Sequence, residues 1–438
     1  MRKVTAAGIL LCGIGSFLHA QDTLTLQQVM ELTLANNFDI LLARNDAAIA
    51  SNNNTLGASG FLPVLNAGAD LTRSVSNTHQ ELFNGTVREG TNARSGSVNP
   101  ELLLNWTLFD GTGMFIRKEK LEELERTGEI QTRAVMEQSL SEAMITYYSI
   151  LQQQKMLEVI AGALSVSRER LNIISTGVGI GKASELSRLQ ALADLNADSA
   201  AYLQQYNILN GLKVQLNRIL SRDPSTPFVI GGTISIGSGL SLQKILEDFG
   251  RQSPALLAAR QDLKISGLNL REAKAFQYPS LDLFAGYSYT HSTSDVGLIM
   301  NSTVYGHNYG LTLSMPLFDG HLKQQAVKNF KIELESAGLR LERSELGYRA
   351  DIITLFGNYA SALDMVSLER QNLNVTRKNL DVSFEKYRLG MMSDIDFRIS
   401  QQKYLEAENA LLLAQLQARV TEIQLQALSG NLLKTTGR

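Results

Sequence analysis

The chain has 438 residues, 44% apolar and 19% charged, with Lys+Arg 41 against Asp+Glu 43 and a formal net charge of -2. That balance excludes a disordered chain and leaves no cationic excess to attract nucleic acid or anionic lipid. With Cys12 as the only cysteine, an intrachain disulfide is excluded too.

Residues 1–20 read as a secretory signal peptide: Arg2 and Lys3 precede an apolar stretch from Val4 to Leu18, and Ala20 offers a small residue before Gln21. The apolar run is shorter than the ~20 residues a membrane-spanning helix needs. Leu11 stands before Cys12 where lipid attachment would want a small residue. Cleavage after Ala20 would leave a chain without cysteine. No later stretch is uninterruptedly apolar over the ~18 residues of a transmembrane helix, so any membrane crossing must be made by a β-barrel.

The mature chain is one unit written twice. Leu24-Thr25-Leu26-Gln27-Gln28 returns as Leu240-Ser241-Leu242-Gln243-Lys244, and Phe61-Leu62-Pro63 as Gln277-Tyr278-Pro279. Thr107-Leu108-Phe109-Asp110-Gly111 returns as Pro316-Leu317-Phe318-Asp319-Gly320, and Ile180-Gly181 with Ser184 as Leu389-Gly390 with Ser393. The first repeat spans 21–232: a helix, strands at about 64–75 and 97–109, and a helical hairpin at about 113–220. The second spans 233–438: a helix, strands at about 280–291 and 305–318, and a hairpin at about 321–430. Pro224, Pro227 and a Gly-rich run bridge them.

The segments 101–223 and 317–438 contain no proline and are rich in good helix formers. A glycine-centred break at Gly177 to Gly181 and another at Gly390 divide each into two helices. The first helices, about 113–175 and 322–388, would each be roughly 95–100 Å long at ~1.5 Å per residue. Ile352, Tyr359, Val366, Leu373, Leu380 and Tyr387 recur every seven residues. Leu368, Val375, Val382 and Leu389 do so two positions further on, about 200° around the helix. Such a helix is either buried in a bundle or flanked on two sides like a stave in a tube, and the pattern allows both.

After Pro63 and Pro279 the period becomes two. Leu65, Ala67, Ala69 and Leu71 alternate with Asn66, Gly68, Asp70 and Thr72. Leu102, Leu104 and Trp106, then Leu283, Ala285 and Tyr287, then Tyr309 and Leu311 alternate in the same way. Soluble hairpins show such alternation as well. Taken with an export signal and small inward residues, strands of about ten residues fit a transmembrane barrel, with Leu71, Trp106, Tyr287 and Leu311 facing lipid. Four strands cannot close a barrel, since the smallest membrane barrels have ~8, so several chains must share one.

Catalytic patterns are absent from the sequence. The histidines form no metal-ligand motif, and Gly177-Val178-Gly179-Ile180-Gly181 lacks phosphate-loop spacing and a preceding strand. Neither enzyme chemistry nor a cofactor is expected.

Over essentially its whole mature length the chain resembles the TolC-like outer-membrane efflux proteins. The resemblance rests on the doubled architecture, the prolines at both helix-to-strand junctions and the Leu-Phe-Asp-Gly segments. It rests also on the tips Gly181-Lys182-Ala183-Ser184-Glu185-Leu186 and Tyr387-Arg388-Leu389-Gly390-Met391-Met392-Ser393-Asp394-Ile395-Asp396. It implies an α+β membrane protein: a homotrimer with a shared 12-stranded β-barrel in outer-membrane lipid and a periplasmic α-barrel. Its partners would be a periplasmic adaptor and an inner-membrane transporter.

The resemblance also implies a gate at the periplasmic tip, involving Gly181, Ser187, Tyr387, Gly390, Asp396 and Ile399. Members often carry Asp at the positions of Ile399 and Ser187, so a single acidic ring at Asp396 above an apolar one at Ile399 is expected. Tyr387, a tip latch in relatives, then lacks its usual partner at Ser187. Ser393 and Asp396 also read as a capping pair for the helix that follows. The competing readings are a soluble periplasmic coiled-coil adaptor and a passive outer-membrane porin or adhesin.

Overall fold

The computed structural model describes residues 23–237 and 239–435. The expected signal peptide, residues 1–20, lies outside them. In chain order the elements are β1 (Thr23–Leu24), α1 (Leu26–Asn36), α2 (Phe38–Asn53), β2 (Val64–Glu81), β3 (Val87–Asp110), α3 (Gly113–Gly179) and α4 (Glu185–Ile219). There follow β4 (Val229–Ile230), α5 (Leu242–Gln252), α6 (Pro254–Ala275), β5 (Ser280–Ser294), β6 (Asn301–Ser314), α7 (Leu322–Arg388), α8 (Asp394–Leu428) and α9 (Leu432–Thr435).

Each expected single helix before the strands is two. Asn37 has extended backbone, and its side-chain oxygen accepts from Asp39 N at 3.0 Å and Ile40 N at 3.2 Å, so it caps α2. Ser253 takes the matching place, pushed into extended geometry by Pro254 at the first position of α6.

The long hairpins follow the proline-free segments. α3 and α7 are 67 residues each, and α4 and α8 are 35 each. The first break is narrower than the glycine run suggests: Gly177 and Gly179 remain helical, and only Gly181 turns left-handed, at φ 73. At the helix starts the Asp of each Leu-Phe-Asp-Gly segment acts as a cap. Asp110 accepts from Met114 N at 2.9 Å, and Asp319 accepts from Lys323 N at 3.0 Å. Gly111 and Gly320 supply the positive φ that lets the chain reverse from strand to helix.

The four long helices form a layer in the order α7, α8, α3, α4, with α2 packed on α3, and α6 packed on both α3 and α7. The main core lies at the hairpin bases, where Val29, Leu140, Ile150, Leu216 and Ile423 are fully buried. A second cluster joins Phe249 and Leu256 to Ile352 and Tyr359 of α7. The two seams of α7 therefore differ. Ile352, Tyr359, Val366 and Tyr387 are at most 9% exposed, whereas Leu368, Val375, Val382 and Leu389 are 55–69% exposed.

The four long strands form one antiparallel sheet in the order β2-β3-β5-β6, and the short β1 and β4 pair in parallel apart from it. Both hairpins start at the expected prolines, but the strands near the loops are longer than their sequence suggests. β2 and β3 continue through the Ser-, Asn- and Arg-rich stretch between the expected strands, residues 76–97, and close it with a turn at Leu82–Thr86. β6 lies four residues earlier than expected, ending at Ser314. Backbone pairing tolerates polar side chains on a wet surface, so composition there says little about strand ends. Pro100 stands where the β3–β5 ladder skips Asn99 and Pro100, which leaves its missing N–H without consequence.

Candidate functional site

Sheet register fixes which side chains share a face. Trp106 stands opposite Leu283, and Leu283 opposite Leu311. Leu102 stands opposite Tyr287, and Leu71 opposite Val98. Leu71, Trp106, Tyr287 and Leu311 thus lie on one face, together with Leu65, Tyr309 and Leu313, and all seven are exposed. Trp106 donates Nε1–H to the Phe61 carbonyl at 2.8 Å near the helix side, and Tyr289 stacks with Tyr305 six residues further out. At ~3.3 Å per residue the aromatic levels are about 20 Å apart along a strand.

The opposite face is polar and small, with Asn66, Asp70, Thr72, Ser97, Glu101, Asn105, Asp282 and Asn308. Phe284 is its main aromatic intruder, and Gly310 across the ladder makes room for it. A Cβ at Gly310 would stand 2.7 Å from the Phe284 ring. The outer edges of β2 and β6 have no strand partner among the described residues.

At the far end of the helices the two tips use the same backbone device. Lys182 N donates to Gly177 O at 2.8 Å, and Met391 N donates to Lys386 O at 2.8 Å, each across a glycine at φ 73. The following helix is then capped alike. Ser184 Oγ accepts from Ser187 N at 3.1 Å, and Ser393 Oγ accepts from Asp396 N at 3.2 Å. Asp396 also accepts from the Ser393 hydroxyl at 2.6 Å while remaining exposed, and Ile399 one turn on is 47% exposed.

Between the two tips lies a charged cluster that motif reading missed. Arg170 of α3, 1% exposed, donates Nη1–H to Asp194 of α4 at 2.7 Å and Nε–H to Asp394 of α8 at 2.5 Å. Its Nη2–H also reaches Asp394. One turn away Arg398 of α8 holds both oxygens of Asp198 of α4, at 2.7 and 2.9 Å, and Ser167 donates to the same carboxylate at 2.6 Å. Burial works to raise the Asp198 carboxyl, but the hydrogen bonds from Arg398 and Ser167 outweigh it and hold the group below its ordinary value.

Tyr387 is bound into this cluster rather than to Ser187. Its ring stacks on Phe397 at 4.9 Å, and its hydroxyl lies within reach of the Asp394 carboxylate's charge. Burial, then the Asp394 charge, pushes its ionisation up to about 12. The available sequence signal was spacing: Asp194 and Asp198, like Asp394 and Arg398, are four apart and so share one helix face. No pattern marked Arg170.

A family model described as outer membrane efflux protein matches residues 29–220 and 245–431. The chain belongs to that family. Outer membrane protein TolC of Escherichia coli (strain K12) is 21% identical over 437 residues, covering 97% of this chain and 85% of TolC. Protein CyaE of Bordetella pertussis is 23% identical over 337 residues, covering 76% and 70%. Among solved structures, the outer-membrane channel OprN superposes with TM-score 0.76 at 18% identity, covering 93% of this chain and 90% of that one. The efflux family accounts for long helical hairpins joined to a β-domain in one chain. This protein is an outer-membrane exit duct for efflux or secretion.

Proposed function

We propose that three copies of this chain close one duct: a 12-stranded barrel in outer-membrane lipid continued by a periplasmic α-barrel. The carrying observation is that both layers end open on the same chain. The sheet stops at unpaired edges of β2 and β6, and the helical layer stops at α4 and α7. Unpaired strand edges in lipid cost several kcal/mol per backbone group, so β6 of one copy must meet β2 of the next. The exposed seam of α7, Leu368 to Leu389, finds its counterpart in Leu186, Leu189 and Leu203 of α4, each more than half exposed.

The apolar sheet face then contacts lipid and the polar face lines the lumen, with aromatic side chains at both levels of the apolar band, as in membrane barrels. The duct catalyses no reaction. Its periplasmic end receives an adaptor and an inner-membrane transporter, and the latter supplies the energy.

Mass determination of the detergent-solubilised protein tests the assembly, with a trimer expected and a water-soluble monomer ending the reading. Leu311→Arg should destabilise insertion by about 2–4 kcal/mol if that position lies near the bilayer midplane. At the tip, three Asp396 carboxylates around one axis would select cations above a ring of Ile399. Asp396→Asn should lower cation selectivity in planar-bilayer recordings, and Ile399→Asp should raise it and strengthen block by multivalent cations. Unchanged selectivity in Asp396→Asn would leave the residue as a helix cap alone. A wide-open conductance in the absence of partners would favour a passive porin.

A further inference from the structure

The two outer loops of the sheet are built differently. The β2–β3 hairpin runs on past the end of its neighbours to Glu81 and Val87 and projects outward, with Phe83 fully exposed at its turn. The β5–β6 connection, Asp295–Met300, instead folds back across the sheet. It is pinned at four places. Asp295 N donates to Arg94 O and Arg94 N to Asp295 Oδ2, both at 2.9 Å. Ser294 Oγ donates to Val296 O at 2.6 Å, and Arg88 reaches the Gly297 carbonyl. Val296 presses on β3 where Gly90 leaves space, since a Cβ at Gly90 would stand 2.3 Å from Val296 Cγ2.

The fold-back brings Ile299, from the apolar run Leu298–Met300, over a hydroxyl-rich part of the sheet. Ile299 shares a cavity of about 380 Å³ with Thr72, Ser95, Ser97, Ser292 and Ser302. By register these hydroxyl residues lie on the face opposite Leu71, Trp106, Tyr287 and Leu311. Leu298, Ile299 and Met300 are 64–77% exposed. Ile299 held over a hydroxyl-lined surface without being buried, with exposed Leu298 and Met300 on either side of it, is poorly explained by packing.

We propose that Asp295–Met300 is a lid over the outward mouth of the duct, in which Leu298, Ile299 and Met300 set an apolar, size-limiting constriction above the polar lumen. This rests on the trimeric duct reading, which brings three such loops around one axis. Apolar constrictions in a wet pore resist bulky hydrated solutes by dewetting, while small solutes pass as the loop fluctuates. The outer mouth would then discriminate by size independently of the periplasmic tip.

The test uses Ser97→Cys in the full-length protein in intact cells, with the chain lacking that substitution as background. Labelling from outside is compared for a small charged maleimide and a long polyethylene-glycol maleimide. The lid predicts reaction with the small reagent and about tenfold slower reaction with the polymer. Ile299→Ser, or Gly90→Leu to dislodge Val296, should restore polymer labelling while the detergent-stable oligomer persists. Equal labelling by both reagents in the Ser97→Cys chain overturns the lid, as does a polymer block that neither variant relieves. If a detergent-stable oligomer forms but the small reagent fails, the hydroxyl face does not line an open lumen, and the duct reading falls with the lid.

Discussion

The two repeats differ most where they touch something outside themselves. Their long helices are equal in length, and their turns use the same hydrogen bonds around Gly181 and Gly390 and the same serine caps. Yet Arg170 of the first repeat has Asn379 at the corresponding place in the second, and Asp198 has Ala407. The charged cluster thus joins α3 and α4 to α8 and, among the described residues, has no copy on the α7 side. The outer loops differ likewise, one projecting and one folded back. Backbone closure was kept in both halves, while surfaces that meet a different neighbour in each half diverged.

Removing the asymmetric cluster should show the largest effect. Arg170→Met strands two carboxylates. Loss of one partner of a buried pair costs about 3–5 kcal/mol, and less here because Asp194 and Asp394 keep side-chain exposures of 33% and 21%. Hydrogen exchange should rise around the tips of α3, α4 and α8, whereas Asn379→Ala should leave exchange there unchanged.

Next come Gly111→Ala and Gly320→Ala, at φ 70 and 71. Gly320 has open space around it, so its variant should cost only the left-handed penalty, about 1–2 kcal/mol. At Gly111 the new Cβ would stand 2.3 Å from the Ala275 carbonyl. That variant should lose clearly more, read as a larger fall in the unfolding temperature of the detergent-solubilised protein. Equal losses would refute the claim that β3 and α6 are locked together more tightly than their counterparts.

Ser184→Ala and Ser393→Ala should each cost about 1 kcal/mol, and should match each other, because the caps are the same. The smallest effect is acid. Asp198 is held below its ordinary 3.8, so its contribution is complete above that pH and is lost as pH falls through the lower folded value. Asp198→Asn should remove that part of the acid dependence, read as tip proteolysis against pH.

Much of this was legible in residue order. Proline-free arms, glycine turns and a change of period from seven to two mark elements whose signals are local, because helix propensity and strand alternation act over a few residues. The split at Asn37 was less visible, since a capping asparagine inside a helical pattern resembles any polar surface residue until its side chain is seen bonding Asp39 and Ile40. The second seam of α7 could be read as buried or as flanked on two sides, and only packing showed Leu368, Val375, Val382 and Leu389 uncovered.

By itself the sequence determined the doubled plan, the extent of the long helices and the apolar and polar sides of the strands, because periodicity and backbone stereochemistry are properties of neighbouring residues. Tertiary structure decided which carboxylates Arg170 would meet, that Tyr387 would stack on Phe397, and that Asp295–Met300 would fold over the hydroxyl face. Each of those depends on residues far apart in sequence, Arg170 and Asp394 being 224 positions apart. No local pattern encodes a partner that only the packing of two repeats brings within hydrogen-bond reach.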